Sequence, residues 1–477
     1  MPAVNRAAGG ADGTPRRIIK TIERKSVLEN EKIKVGFVSL GCSKNLMDTE
    51  VMLHSAMEAG YELVADESEA DVVIINTCAF IESAKAEAID NILDVAWLKE
   101  NKNLRAIIVT GCLAERYRSD ILRDMPEVDA VLGVGSLGNI AEAIDAVLRG
   151  ERYSSFEDKE KAPLGGSRIV TTGDAMAYLK IAEGCSNRCT YCAIPNIRGK
   201  MRSRTIEDIT EEAAELSDMG VKELCVIAQD TTSYGLDLYG RLALPELLRE
   251  LLEKTDFCWI RLLYLYPDRI TDELLDVIAS SGGRILPYFD VPIQHISDSV
   301  LKRMNRRGDG AVIRSAIARI RDELPDAVIR TTVIVGFPGE TEEDFAELCE
   351  FVKETKFDRF GAFTYSREED TPAYSMPDQI DAQTAQDRYD IIMKEQLEIA
   401  AEKNAQRIGE VIEVLTEDFD PVAECFFGRS AGEAPDVDGK IYFRAKEKPA
   451  QGDMVTVKIT EAMDYDLIGE MQGKVLL

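Results

Sequence analysis

From residue 34 onward the chain alternates between short apolar runs and amphipathic stretches. "KVGFVSL" (34–40), "DVVIINT" (71–77), "RAIIVTG" (105–111) and "AVLGVGSL" (130–137) are continuous apolar runs of strand length. "NLMDTEVMLHSAMEAG", "ESAKAEAIDNILDVAWLKEN" and "GNIAEAIDAVLRG" carry apolar residues at helical spacing. Unbroken apolar strands alternating with helices predict a parallel sheet covered by helices. The first domain is expected over residues 32–149. Residues 1–31 lack the apolar core of a secretory signal and read as a flexible tail. The polar, Gly-containing stretch 150–170 reads as a linker.

A second strand–helix series follows. Its strands are expected in "AYLKIAEG" (177–184), "ELCVIAQD" (223–230), "WIRLLYLY" (259–266), "YFDVPIQH" (288–295), "VIRTTVIVGFP" (328–338) and "RFGAFTYS" (359–366). Such a series falls short of the eight βα units of a closed barrel, so residues 171–401 predict a partial, open (βα) barrel. A charged helical pattern (381–404) ends it. Over 404–475 the pattern becomes short alternating strands, "GEVIEVLTED", "ECFFGRS", "KIYFRA" and "DMVTVKITEA", between Gly, Asp and Pro turns. That predicts a small antiparallel β-barrel. The fold class is therefore α/β and multidomain.

The cysteines add chemistry to this frame. There are ten, too few for a disulfide scaffold in 477 residues, so a reducing cytoplasm is expected. Cys42, Cys78 and Cys112 each follow a predicted strand and precede a predicted helix, in "SLGC", "NTC" and "TGC". Parallel strands bring all three to one carboxyl edge, where ligands bind in such folds. Helix N-termini there favour thiolate. A shared metal or cluster site is expected. Cys225, Cys258, Cys349 and Cys425 have no such placement and read as core or surface residues.

"EGCSNRCTYCAIPNIRG" places Cys185, Cys189 and Cys192 at C-x3-C-x2-C spacing. A closed structural zinc site wants four ligands. No partner pair lies nearby, and the only histidines are His54 and His295. A cubane 4Fe–4S cluster has four irons, so three cysteines leave one iron open to a substrate or cofactor. The loop follows the first strand of the partial barrel, at the carboxyl mouth where barrel enzymes do their chemistry.

"CSNRCTYC", with a Gly before its first cysteine and an aromatic before its third, resembles the radical S-adenosylmethionine signature. With the three-cysteine domain before it and a TRAM-like barrel after it, the chain from about residue 32 resembles the methylthiotransferase family. "AYLKIAEGCSNRCTYCAIPNIRGKMRSR", "LLYLYP" and "ILPYFDVPIQHISDSVLKRMNRR" are most similar to one branch, which modifies an aspartate of the small-subunit ribosomal protein numbered twelve. The tRNA-modifying branch usually shows a Ser-Gly-Ser stretch where this chain has His295-Ile296-Ser297 after Gln294.

The resemblance implies a 4Fe–4S cluster on Cys185, Cys189 and Cys192 that binds S-adenosylmethionine. One electron cleaves the cofactor to methionine and a 5′-deoxyadenosyl radical, which takes a hydrogen from the substrate. It implies a second 4Fe–4S cluster on Cys42, Cys78 and Cys112 that carries the sulfur, and a reductant such as flavodoxin or ferredoxin. Tyr191 is expected near the adenine and Gln294 at a strand-end polar contact. Arg330 is a candidate for the cofactor carboxylate. Gly336, before a capping box of Thr341 with Asp344, is a candidate for close backbone approach. No catalytic residue beyond the clusters is expected. The alternatives are the same chemistry on a tRNA adenosine, and a non-catalytic iron–sulfur electron carrier.

Charge bears on the partner. With 57 Lys and Arg against 86 Asp and Glu the net charge is −29, which leans away from phosphate backbones and towards a basic protein. Residues 404–477 hold eight basic and fifteen acidic residues, 8 − 15 = −7. "LTEDFDPVAE" and "GEAPDVDGK" are expected to present carboxylates to that partner. No apolar run approaches membrane-spanning length, so no membrane partner is expected.

Overall fold

The computed structural model describes residues 20–21 (backbone only), 32–173 and 175–475. Apart from residues 20–21, which pair in parallel with Ile169–Val170, the tail expected over 1–31 lies outside the described residues until residue 32.

The first domain is a six-stranded sheet of β1 (Lys34–Ser39), β2 (Glu62–Val64), β3 (Val72–Thr77), β4 (Ala106–Gly111), β5 (Ala130–Leu132) and β6 (Tyr153–Ser155). The order is β2-β1-β3-β4-β5-β6 and every pairing is parallel. Its helices are α1 (Ser43–Glu58), α2 (Glu82–Asn101), α3 (Cys112–Tyr117), α4 (Ser119–Asp124) and α5 (Ile140–Leu148). β3 and β4 are buried along their whole length, hence the apolar runs Val72–Ile75 and Ala106–Val109 with which they open. Val73, Ile75, Ile107 and Val109 pack on α2, while Val72, Ile74 and Ile108 pack on α1 and α5. The period of two thus divides one apolar run between two faces.

Two expectations change here. The run 130–137 is strand only to Leu132; a 3-10 turn over Val134–Asn139 replaces the rest, with the Val134 amide donating to Glu115 Oε2 at 3.2 Å. The stretch 150–170 is not a free linker, because β6 completes the sheet and Arg168 is buried. Arg168 donates to Glu50 of the first domain, to Glu212 at 2.9 Å and to the Tyr178 carbonyl at 2.7 Å. Its partners are far away in sequence, so a polar stretch hid a clamp between domains.

The central domain carries β7 (Met176–Lys180), β8 (Glu223–Ile227), β9 (Trp259–Leu262), β10 (Ile285–Asp290), β11 (Val328–Val335) and β12 (Arg359–Thr364). They pair in sequence order, all parallel, as an open sheet with helices outside. Leu224, Ile260, Ile329 and Val333 face the helices. Tyr178, Cys225, Leu263 and Tyr288 face the inside of the partial barrel. The helix Ala382–Gln406 closes the domain.

The last domain is a closed five-stranded barrel of β13 (Val411–Asp420), β14 (Cys425–Arg429), β15 (Ile441–Arg444), β16 (Met454–Ala462) and β17 (Leu467–Lys474). It is not wholly antiparallel, since β15 and β17 pair in parallel and complete the closure. β17 escaped the sequence pattern because few of its residues are buried.

Of the carboxylates of "GEAPDVDGK", Glu433 and Asp438 turn inward and plug the amino end of the partial barrel, while Asp436 stays exposed. Glu433 pairs with Arg359 at 2.7 Å and Arg407 at 3.0 Å. The Tyr178 hydroxyl donates to Asp436 at 3.0 Å, and the Tyr288 hydroxyl to Asp438 at 2.5 Å. Glu223 receives Arg261 at 2.6 Å and Arg429 at 2.7 Å. Burial opposes ionisation of Glu433, but Arg359 and Arg407 outweigh it and hold its carboxyl down to about 2. This stabilisation is complete above the ordinary value of 4.5 and is lost as pH falls towards 2. Glu433→Ala leaves the buried Arg359 guanidinium without its carboxylate, while Arg407 keeps Glu410 at 3.4 Å, and is expected to cost about 3 kcal/mol. Denaturant unfolding at neutral pH checks this; an unchanged midpoint would refute the plug.

Candidate active site

β1, β3 and β4 deliver Cys42, Cys78 and Cys112 to one carboxyl edge of the first sheet. Two glycines allow the turns to meet. Gly41 has φ +89°, and a Cβ there would lie 2.8 Å from Cys78 Cβ and 3.0 Å from its Sγ. Gly111 has φ +90°, and a Cβ there would lie 2.3 Å from Asn76 Oδ1. Buried amides brace these turns. Asn45 Nδ2 donates to the Leu40 carbonyl at 2.7 Å and the Asn76 carbonyl at 3.2 Å, while Asn76 Nδ2 donates to the Asn45 carbonyl at 2.8 Å.

In the central domain Ala182–Glu183 pairs antiparallel with Arg202–Ser203. The excursion between them holds Cys185, Cys189, Cys192 and the short helix α6 (Ile194–Arg198). Thr190 ties the loop down: its amide donates to the Met304 carbonyl at 3.0 Å and its hydroxyl to the Arg303 carbonyl at 2.8 Å. The Cys185 amide donates to the Gly199 carbonyl at 3.1 Å. Tyr266 Oη lies 3.7 Å from Cys189 Sγ, and Arg306 donates to the same sulfur at 3.9 Å with its guanidinium 4.1 Å from the Tyr266 ring centre. A cavity of about 240 Å³ opens beside Cys189, Tyr266 and Arg306.

One buried polar network joins the two groups of thiols. Arg198 donates to Glu183 at 3.0 Å, to Asp48 at 2.9 Å and to Asn45 Oδ1 at 3.0 Å. Lys180 donates to Asp48 at 2.6 Å and Glu183 at 2.7 Å. Burial pushes the Cys112 thiol up to about 12, against the nearby Arg198. At Cys42 burial also pushes up, but Lys44 and Arg198 outweigh it and bring the thiol below its ordinary value. Cys42 is solvent-accessible. Sequence reasoning missed Arg198, Lys180, Glu183 and Asp48. Arg198, Lys180 and Glu183 lie in or beside the cysteine motif, but spacing carries no sign that they are buried.

The thiols fit a cluster with an open iron. Burial pushes Cys185 up to about 11 and raises Cys192 further, and neighbouring thiols add to both shifts. Such thiols need a bound cation to ionise near neutral pH. Among the described residues no three His, Cys, Asp or Glu side chains are arranged to hold one metal ion. A cubane does not require that, because each thiol takes a different iron.

The other candidates divide. Tyr191 lies beside Cys189 and Cys192, with its ring 6.5 Å edge-on from Phe337. Gln294, at φ +71°, bridges the carboxyl half of β11, its amide donating to Thr332 at 2.9 Å and its carbonyl accepting from Ile334 at 2.8 Å. Arg330 is corrected: it sits near the start of β11, where Asp290 at 2.9 Å and Asp438 at 3.5 Å already neutralise it. Gly336 is corrected too, since a Cβ there would lie 2.5 Å from Ala385 Cβ. Its freedom serves helix packing. Thr341 and Asp344 do form the capping box.

Residues 34–133 match Uncharacterized protein family UPF0004, 179–352 the Radical SAM superfamily, and 408–471 the TRAM domain. The ribosomal protein uS12 methylthiotransferase RimO of Clostridioides difficile (strain 630) is 49% identical over 444 residues, covering 92% of this chain and 99% of that protein. The chain belongs to the RimO family of radical SAM methylthiotransferases. The RimO protein of Alkaliphilus oremlandii (strain OhILAs) is also 49% identical, over 93% of this chain and 100% of its own. In fold, the chain is similar to the radical S-adenosylmethionine methyltransferase TsrM from Kitasatospora setae, with TM-score 0.51, 13% identity and 79% of each chain covered. Family membership makes the chain an enzyme that uses a 4Fe–4S cluster and S-adenosylmethionine.

Proposed function

We propose that this enzyme inserts a methylthio group at the β-carbon of an aspartate in ribosomal protein uS12. Cys185, Cys189 and Cys192 hold the cluster that binds S-adenosylmethionine, and Cys42, Cys78 and Cys112 hold a second 4Fe–4S cluster. The observation that carries this reading is the pair of three-thiol groups, on the carboxyl edges of two sheets, joined by Arg198. When bound, the cluster and cofactor supply the one-electron chemistry that an unactivated carbon needs and no side-chain base provides.

The chain's own residues shelter and position these groups. Tyr191, Phe337 and Tyr365 form an apolar wall beside the loop. Arg306 places a cation beside the Cys189 sulfur. Arg198 and Lys180, between Asp48 of one domain and Glu183 of the other, hold the two groups in register. His295 has no proton-transfer role in this reading: burial pushes it down to about 3, and its Nδ1 accepts from the Ser297 amide at 3.0 Å. The electron donor is a flavodoxin or ferredoxin, and the reaction takes place in the cytoplasm. No helix among the described residues is long and apolar enough to cross a membrane.

The test supplies reconstituted enzyme, reductant and S-adenosylmethionine with uS12 and with bulk tRNA. Mass spectrometry is expected to find the methylthio group on a uS12 aspartate. Methylthioadenosine in tRNA, with uS12 unchanged, would overturn the reading.

A further inference from the structure

α1 carries another side chain across the seam between the domains. Lys44 is only 6% exposed, and its Nζ lies 3.1 Å from the centre of the Tyr264 ring. Among the described residues it has no carboxylate partner, and the acidic group nearest it in the chain is the Cys42 thiol. A buried ammonium is normally paired, and an aromatic face compensates it only in part. Other buried cations that cross the seam have carboxylates: Arg198 and Lys180 share Asp48 and Glu183, and Arg168 has Glu50 and Glu212.

The ring beneath Lys44 is itself held in place. Tyr264 has φ +64°, a conformation that a bulky residue adopts only when its surroundings impose it. Its amide donates to Asp290 Oδ2 at 3.0 Å, and Asp290 Oδ1 receives Arg330 at 2.9 Å. Asp290 is therefore already committed and is not the missing counterion. The location matters as well. Lys44 is two residues beyond Cys42, in the first turn of α1. Tyr264 is two residues before Tyr266, whose hydroxyl lies 3.7 Å from Cys189 Sγ. The ammonium thus lies on the seam, in the helix turn that follows Cys42 and over a ring two residues from the Tyr266 that touches Cys189.

We propose that Lys44 binds the carboxylate of the acceptor side chain, with the Tyr264 ring as the floor of that subsite. The inference rests on the reading of an aspartate acceptor. The β-carbon of aspartate is bonded directly to its carboxyl carbon, so anchoring the carboxylate fixes the reacting carbon one bond away. A nucleobase would bring no anion to this position.

The test measures dissociation constants on anaerobically reconstituted enzyme with S-adenosylmethionine present. The probes are two synthetic uS12 peptides, one with Asp and one with Asn at the acceptor position. A hydrogen bond between charged groups predicts that wild-type enzyme prefers the Asp peptide by about 10- to 100-fold. Lys44→Met is expected to abolish the preference, and Lys44→Arg to restore part of it. Iron content is measured on each preparation. Wild-type enzyme that binds both peptides equally would overturn the anchor and leave the substrate reading standing. So would a Lys44→Met protein that keeps the preference, or that loses only iron. Wild-type enzyme that binds neither peptide nor whole uS12 would overturn the substrate reading, and the anchor with it.

Discussion

Replacing Cys185, Cys189 and Cys192 together by Ala is expected to abolish reductive cleavage of S-adenosylmethionine. Iron in the reconstituted protein should fall from about eight atoms to about four, at four per cubane. The loss should be selective, because the loop does not depend on its thiols for its shape. The Cys185 amide keeps the Gly199 carbonyl, and Thr190 keeps Met304 and Arg303. The fold should persist while the ligands disappear. Iron analysis and detection of 5′-deoxyadenosine are the measurements. A triple variant that still holds eight irons, or still makes 5′-deoxyadenosine, would show that the cluster sits elsewhere.

The complementary variant, with Cys42, Cys78 and Cys112 replaced by Ala, is expected to do the reverse. It should retain cleavage of S-adenosylmethionine and yield no methylthiolated uS12. The structure gives a reason for this separation. Arg198, the cation the two sites share, loses the Cys112 thiol but keeps Asp48 and Glu183. Its charge stays compensated, so the Cys185 loop is not left beside an unpaired buried cation. Asn45 and Asn76 hold the first-domain turns through their amides, which the substitutions leave intact. Normal amounts of thiolated product would make this triplet structural only. Loss of S-adenosylmethionine cleavage would mean that the two sites are one cooperative unit.

Period and spacing made much of this protein legible. β3 and β4 open on four consecutive apolar residues because both faces are covered, and α2 begins and ends where its sequence pattern does. Given parallel strands, the position of Cys42, Cys78 and Cys112 after β1, β3 and β4 was enough to bring them to one edge. The C-x3-C-x2-C loop was explicit in the chain, because its three ligands are local. Residues whose roles depend on distant partners were beyond that reading. Arg330 looked available to a cofactor carboxylate; folding placed Asp290 and Asp438 against it. Gly336 looked like a ligand contact, and Ala385 occupies that space. The acidic stretch 432–440 looked like an outer surface, yet Glu433 and Asp438 lie buried against Arg359, Arg407 and Arg330. Arg168 and Arg198 gave no sign of being clamps. A periodic pattern reports which face of an element is buried, since burial repeats along the element. An ion pair between elements has no period, and its energy depends on partners and depth of burial that only the packed chain sets. The sequence by itself therefore determined the pattern of the three domains and the placement of both cysteine triplets, and the tertiary structure alone decided which charges became structure and that Lys44 has no carboxylate partner among the described residues.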